Sequence, residues 1–220
     1  MRTLRRVFVD PGAPQRDAIE EAAKWILEGE IVALPTDTLY GLAVDPFNAE
    51  AVARLFAAKG RPEDRGIPLI AADRAQIERH FGPLTGAAAL LAERFWPGPL
   101  TLLLPAPRAM APGVSAGTGK VGIRVPDERC ARAICAAVGR PITATSANIS
   151  GAPATANPSD VEEALGDRVL FLFDAGPTRG SAPSTIVDTG AHGSTDTTLV
   201  RAGAIAWDDI QRCLHSVPKA

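Results

Sequence analysis

Three cysteines, three histidines, two methionines and one tyrosine leave this 220-residue chain few of the side chains used for redox and metal chemistry. Cys130, Cys135 and Cys213 are odd in number and form no Cys-x-x-Cys pair, which excludes a disulfide framework and a structural zinc site; buried thiols are expected. His80, His192 and His215 share no metal-ligand spacing, and no Cys/His pair suggests a nucleophile with its base. No apolar run approaches the ~20 residues that cross a bilayer. The basic start at Arg2, Arg5 and Arg6 runs into Asp10, Pro11 and Gly12 instead of an apolar signal core, so a soluble, cytoplasmic protein with no membrane partner is expected. An excess of one charge is also lacking. The formal net charge of −2 is spread without blocks, and nothing in it demands a nucleic-acid or membrane surface.

What is present is apolar and interrupted by turns. With 46% hydrophobic residues the chain can bury a sizeable core, and one domain over residues 1–220 is expected. Ile19, Ala22, Ala23, Ile26 and Leu27 recur at helical spacing within residues 14 to 28, and Gly29 supplies a stop. Ile31 to Leu34 reads as a buried strand that empties at Pro35 into a loop. Asn48 caps a second helix carrying Val52, Leu55 and Phe56, which Gly60 ends and Pro62 keeps from resuming. Strands are expected at 100–104, 121–125, 141–145, 169–173 and 184–188. Asp127 is expected to cap a helix to Val138, Asn157 to open another, and a last helix to hold Trp207, Ile210 and Leu214. The small polar stretch 190–197 reads as a mobile surface loop. Strands and helices interleave without strict βαβ regularity. The expected fold class is α/β, a twisted mixed sheet flanked by helices.

Two phosphate motifs fail on context. Gly117-Thr118-Gly119-Lys120-Val121-Gly122 satisfies G-x-G-x-x-G, but a dinucleotide loop follows a strand and opens a helix, whereas this one enters a strand. It is no P-loop either, since Val121 follows the lysine and the first glycine is missing. Phosphate chemistry therefore has to rest on side-chain cations. Lys59 and Arg61 stand at a helix exit, a compact point charge beside a planar fork that can grip two phosphate oxygens. Thr145-Ser146-Ala147-Asn148 follows a strand and should present Ser146 and Asn148 to a crevice beyond the sheet. Asp37 reads equally as a general base and as a turn aspartate bonding loop amides. Trp96 reads as core and not as a base platform, and Tyr40 as a packing residue.

Lys59-Gly60-Arg61-Pro62, Thr145 to Asn148 and Pro35-Thr36-Asp37-Thr38-Leu39-Tyr40-Gly41 together resemble the signature of the YrdC/Sua5 family, the threonylcarbamoyl-AMP synthases. Five more stretches fit in the same order: Phe95 to Thr101, Val121 to Pro126, Ser146 to Pro153, Ser184 to Asp188, and Arg201 to Ile205. The resemblance spans roughly residues 18 to 205, is closest to the single-domain TsaC-type members, and implies a YrdC-like fold with a concave central cleft. It implies condensation of L-threonine, bicarbonate and ATP with Mg2+ to threonylcarbamoyl-adenylate and pyrophosphate, for modification of adenosine 37 in tRNA. Catalysis would fall to Lys59 and Arg61. By the same resemblance ATP would meet Lys59, Arg61, Lys120, Ser146, Asn148 and Arg201, and threonine would meet Thr38, Arg124 and Ser184, with no protein metal site. The implied partners are a downstream TsaB/TsaD/TsaE-like transferase and, through the concave surface, double-stranded RNA or tRNA. Two positions depart from the pattern. Ala72 stands where many members carry a histidine, and Lys120 replaces a threonine near ATP, adding phosphate affinity or facing water. The rival readings are a carbamoyl-adenylate-forming domain of hydrogenase-maturation type and a non-catalytic RNA-binding module.

Overall fold

The computed structural model describes residues 4–62, 65–180, 182–190, 193–194 and 196–215. Arg2 of the basic start, and Ala191, His192 and Thr195 of the 190–197 loop, lie outside the described residues. In chain order the elements are β1 (Arg5–Phe8), α1 (Arg16–Leu27), β2 (Val32–Leu34), β3 (Gly41–Ala43), α2 (Ala49–Lys59), β4 (Leu69–Ile70), α3 (Arg74–Phe81), α4 (Gly86–Phe95), β5 (Leu100–Pro105) and α5 (Pro112–Ser115). There follow β6 (Lys120–Arg124), α6 (Arg129–Val138), β7 (Ile142–Thr143), β8 (Thr145–Ser146), α7 (Pro158–Leu165), β9 (Phe171–Asp174), β10 (Thr185–Asp188), β11 (Thr198–Arg201) and α8 (Trp207–His215).

The mixed α/β fold expected from the sequence is the fold found, with its strands divided between two sheets and not gathered in one. The first sheet has the order β1-β9-β2-β3-β8 and the second β11-β10-β5-β6-β4-β7, each mixing parallel and antiparallel pairs. The strand expected at 141–145 is the reason for the division. Ile142 and Thr143 pair with β4 of the second sheet, while Thr145 and Ser146 pair with β3 of the first, so the chain changes sheets at Ala144.

Period-two alternation distributes the first sheet between two cores. Val32, Leu34, Phe171 and Phe173 point into a cluster with Ala22 and Ile26 of α1 and Ile134 and Val138 of α6. Ala33 and Leu172 point the other way, joining Leu55, Leu91, Leu102 and Ile123 in the larger cluster. Burial on both faces explains why these strands read as continuous apolar runs. Each such Leu, Ile or Phe contributes about 1.5–3 kcal/mol by leaving water.

The ends of the helices follow local chemistry. Asn48 Oδ1 accepts from the Ala51 amide at 3.1 Å, and Gly60 leaves α2 at φ 57°, in the left-handed region, as expected. Asn157 likewise caps α7. The cap of α6 is a correction: Glu128, not Asp127, accepts from the Ala131 amide at 2.6 Å, since the helix begins one residue later and the longer side chain folds forward over its first turn. Gly119 turns at φ 71° into β6, so the glycine-rich stretch is a loop entering a strand. Among the described residues no helix is long and apolar enough to cross a membrane.

Candidate functional site

A cleft of about 560 Å³ opens between the two sheets, within the range of small-ligand sites. The cleft face of the second sheet forms its floor by strand alternation. Thr101 and Leu103 of β5, Lys120, Gly122 and Arg124 of β6, and Ile186 and Asp188 of β10 line it together with Ser184. Gly122 is required there, since a Cβ would stand 2.9 Å from Thr101 Cγ2. The wall comes from the first sheet: the 36–41 loop leaving β2, Thr145 and Ser146 of β8, and Arg61 just past α2.

The 36–41 loop is shaped by its own hydroxyls. Thr36 Oγ1 accepts from the amides of Thr38 and Leu39 at 3.2 and 3.3 Å and donates to the Leu39 carbonyl at 2.7 Å. Behind it the buried Tyr40 donates its hydroxyl proton to the Gly176 carbonyl at 2.8 Å, so Tyr40 does more than pack. Arg124, buried, forms an ion pair with Asp37 and donates to Thr36 Oγ1 and Thr38 Oγ1 at 3.4 and 3.3 Å. Asp37 is thus the counter-charge of Arg124, a role outside both readings made from sequence.

Arg201 reaches the floor from β11. Its guanidinium donates to the Ser184 carbonyl at 2.7 Å and to Ser184 Oγ at 3.1 Å, while Ser184 Oγ shares a proton with Thr101 Oγ1 at 2.8 Å. Burial, and then the charge of Arg124, lower the Arg201 pKa. The turn after Arg201 has to be glycine: a Cβ on Gly203 would lie 2.3 Å from the Pro183 carbonyl oxygen. At the other end of the floor Lys120 bonds both oxygens of Asp188 at 2.8 and 2.7 Å, and the Gly190 amide donates to the same carboxylate.

Arg61 donates to Thr145 Oγ1 at 3.3 Å and to the carbonyls of Arg65 and Gly66 at 3.1 and 2.7 Å. Lys59 is placed differently. It is 2% exposed, and its ammonium donates to the backbone carbonyls of Ser146 and Asn148. Burial, and secondarily Arg61, bring its pKa down to about 8. The two clusters singled out in the sequence therefore do meet.

Of the residues assigned from sequence, Arg61, Lys120, Ser146, Arg201, Thr38, Arg124 and Ser184 line the cleft. Lys59 and Asn148 stand behind the wall that Ser146 forms. Ala72 is half-buried against the smaller core. Asp188, Thr101, Leu103 and Ile186 carried no role in the sequence reading, although alternation along 184–188 is the signal that puts Ser184, Ile186 and Asp188 on one face. Trp96 packs at the edge of the larger core and donates its indole proton to the Leu100 carbonyl, as a core residue does. Cys130 and Cys135 are buried and Cys213 is half-buried. Among the described residues no group of three or more His, Cys, Asp or Glu is placed to hold a metal.

Fold and cleft together define a mixed α/β protein with a cation-lined cleft between two sheets. The family model Sua5_yciO_yrdC, described as telomere recombination, matches residues 24–203. The chain belongs to the Sua5/YciO/YrdC family. It is 40% identical over 200 residues to a threonylcarbamoyl-AMP synthase of Bacillus subtilis, covering 90% of this chain and 57% of that protein. Among solved structures it superposes with Pyrococcus abyssi Sua5 complexed with L-threonine at a TM-score of 0.88 and 34% identity, covering 95% of this chain and 60% of that one. Escherichia coli YciO, at a TM-score of 0.78 and 23% identity, covers 91% and 96% of the two chains and shares the fold. The chain spans less than two thirds of the length of the Bacillus and Pyrococcus relatives.

Proposed function

We propose that this protein is a threonylcarbamoyl-AMP synthase, a nucleotidyltransferase that joins L-threonine, bicarbonate and ATP. The observation that carries the reading is the charge of the cleft. Arg61, Lys120, Arg124 and Arg201 all line it, against the two carboxylates of Asp37 and Asp188, in a chain whose net charge is −2. Positive charge concentrated in a low-dielectric cleft suits a polyphosphate. The resemblance to synthases over nine tenths of the chain supports the same reading.

In this reading the threonine amine takes up bicarbonate with loss of water, giving a carbamate. A carbamate oxygen then attacks the α-phosphorus of ATP, the bond from that phosphorus to the bridging oxygen breaks, and pyrophosphate leaves with the bond's electrons. Charge grows on non-bridging and leaving oxygens, where Arg61 and Arg201 stabilise it without reorganisation. Arg124, Thr38 and Ser184 form the threonine end, Arg124 offering its guanidinium beside the Asp37 pair. Ser146 takes the nucleotide side.

Among the described residues the cleft is lined by hydroxyls and cations but by no histidine or cysteine, and positioning and electrostatics carry the chemistry. Among the described residues Asp188 is the one carboxylate lining the cleft, and it is already bonded to Lys120, which does not suit a resident magnesium cage. Magnesium belongs to the substrate, carried on the nucleotide by phosphate oxygens and water, as that ion prefers. The product is a mixed anhydride, to be consumed by a tRNA-directed transferase such as a TsaB/TsaD/TsaE-like assembly.

The test is pyrophosphate release from ATP with each component omitted in turn. The expected result is release only when L-threonine and bicarbonate are both present. Release that needs carbamoyl phosphate instead, or none under any condition, overturns the reading.

A further inference from the structure

Lys59 is the last residue of α2, and both its side chain and its backbone go to one place. Its ammonium donates to the carbonyls of Ser146 and Asn148, and its own carbonyl accepts from the Ser150 amide at 2.8 Å. The turn it grips is bonded within itself. Asn148 Oδ1 accepts from Ser146 Oγ, and Asn148 Nδ2 donates to the carbonyls of Ile149 and Ala152 at 2.9 and 2.6 Å. From the opposite side the Tyr40 carbonyl accepts from the Ala147 amide at 2.9 Å. Ser146 lines the cleft, whereas Lys59 and Asn148 do not. Two of the three N–H donors of the Lys59 ammonium are committed to carbonyls behind the wall, and withdrawing them toward a phosphate would leave those buried carbonyls unmet, which is costly.

We propose that Lys59 and Asn148 are positioning residues: they form a bracket that fixes the 146–150 turn, so that Ser146 and the neighbouring Arg61 meet the nucleotide, and neither touches phosphate. The inference deepens the adenylate-forming reading and rests on it for its consequence in turnover, but the bracket itself can be measured without substrate.

The experiment compares the full chain with Lys59→Met and with Lys59→Gln, which keeps two N–H donors on a side chain one bond shorter. Amide hydrogen exchange is read first. In Lys59→Met the amides of Ala147, Asn148 and Ser150 are expected to exchange at least about tenfold faster, with Gln between Met and the parent, while the amides of β2 and β9 keep their rates and show that the fold is intact. Kinetics are read second. Loss of a ground-state scaffold is expected to raise KM for ATP at least about tenfold with a smaller change in kcat, as for binding that is equal in ground and transition states. Parent-like exchange across the turn in Lys59→Met overturns the proposal, and so does a loss confined to kcat, which marks a cation acting on the reacting phosphate. If Lys59→Met loses the protection of β2 and β9 as well, the same two criteria are applied to Lys59→Gln. Should the parent protein release no pyrophosphate with threonine and bicarbonate, the synthase reading fails while the exchange result still decides whether the bracket exists.

Discussion

On the floor of the cleft Arg124 and Lys120 each face a carboxylate, while behind the wall Lys59 holds its charge against two neutral carbonyls. The floor balances charge with charge, Lys120 against Asp188 from strands of the same sheet and Arg124 against Asp37 of the facing loop. The wall balances charge with dipoles on a turn that has no ladder of its own beyond Ser146. A cation paired with a carboxylate is hard to remove where, as at Arg124, both are buried. One held by carbonyls alone is removed more gently, and its proton is held less firmly.

The largest effect expected from breaking this contrast is at Arg124. With both partners less than a tenth exposed, Arg124→Met leaves the Asp37 carboxylate buried and uncompensated, a change worth about 3–5 kcal/mol. Denaturant midpoints check this, and an Asp37→Asn, Arg124→Met double variant is expected to recover part of the loss. Next comes Arg201→Ala, which removes a guanidinium from the floor and is expected to lower kcat/KM about 10²–10³-fold with little loss of stability. Gly203→Ala, whose Cβ collides with the Pro183 backbone, is expected to reproduce part of that loss by moving Arg201 without deleting it.

The contrast is sharpened by pH. Lys59 titrates near 8 when folded and at 10.5 when unfolded, so between those values the unfolded chain holds one proton more, and stability rises with pH. Burial raises the Cys130 and Cys135 thiols above the ordinary 9.0, and above that pH the folded chain holds the extra protons, so stability falls. Unfolding free energy is therefore expected to climb from about pH 8 and turn over near 9, and Lys59→Met is expected to abolish the climb. Turnover is expected to fall over the same rise, since the ammonium that grips the turn is being lost. The smallest effect is expected at Lys120. Its pair with Asp188 is partly exposed, so Lys120→Ala should change stability by less than about 1 kcal/mol, and the KM for ATP then separates a phosphate ligand from a solvated lysine.

Much of this arrangement was legible in the residues. Asn48, Gly60 and Asn157 mark helix ends by chemistry that acts over two to four positions, and they do so here. Arg61, Ser146 and Arg201 were assigned to one site, and they meet in one cleft. What escaped depends on distant partners. Nothing within 141–145 signals that its halves pair with different sheets, because each half is two residues long and its partners lie about a hundred and about seventy positions away. The ion pair of Arg124 with Asp37 spans 87 positions, so Arg124 looked available and Asp37 read equally as a base and as a turn aspartate. The sequence reading names no element between 71 and 95, where α3 and α4 form with short, weakly periodic apolar faces.

The change of sheet at Ala144 has a mechanical consequence. The segment 142–146, hydrogen-bonded into one sheet before Ala144 and into the other after it, acts as a weld between two plates. A change in the angle between the plates that keeps both seams has to be absorbed by the backbone at Ala144. The wall and the floor of the cleft are thus tied through one short segment, and Ala144 at its middle is itself held by the Pro68 carbonyl at 2.8 Å.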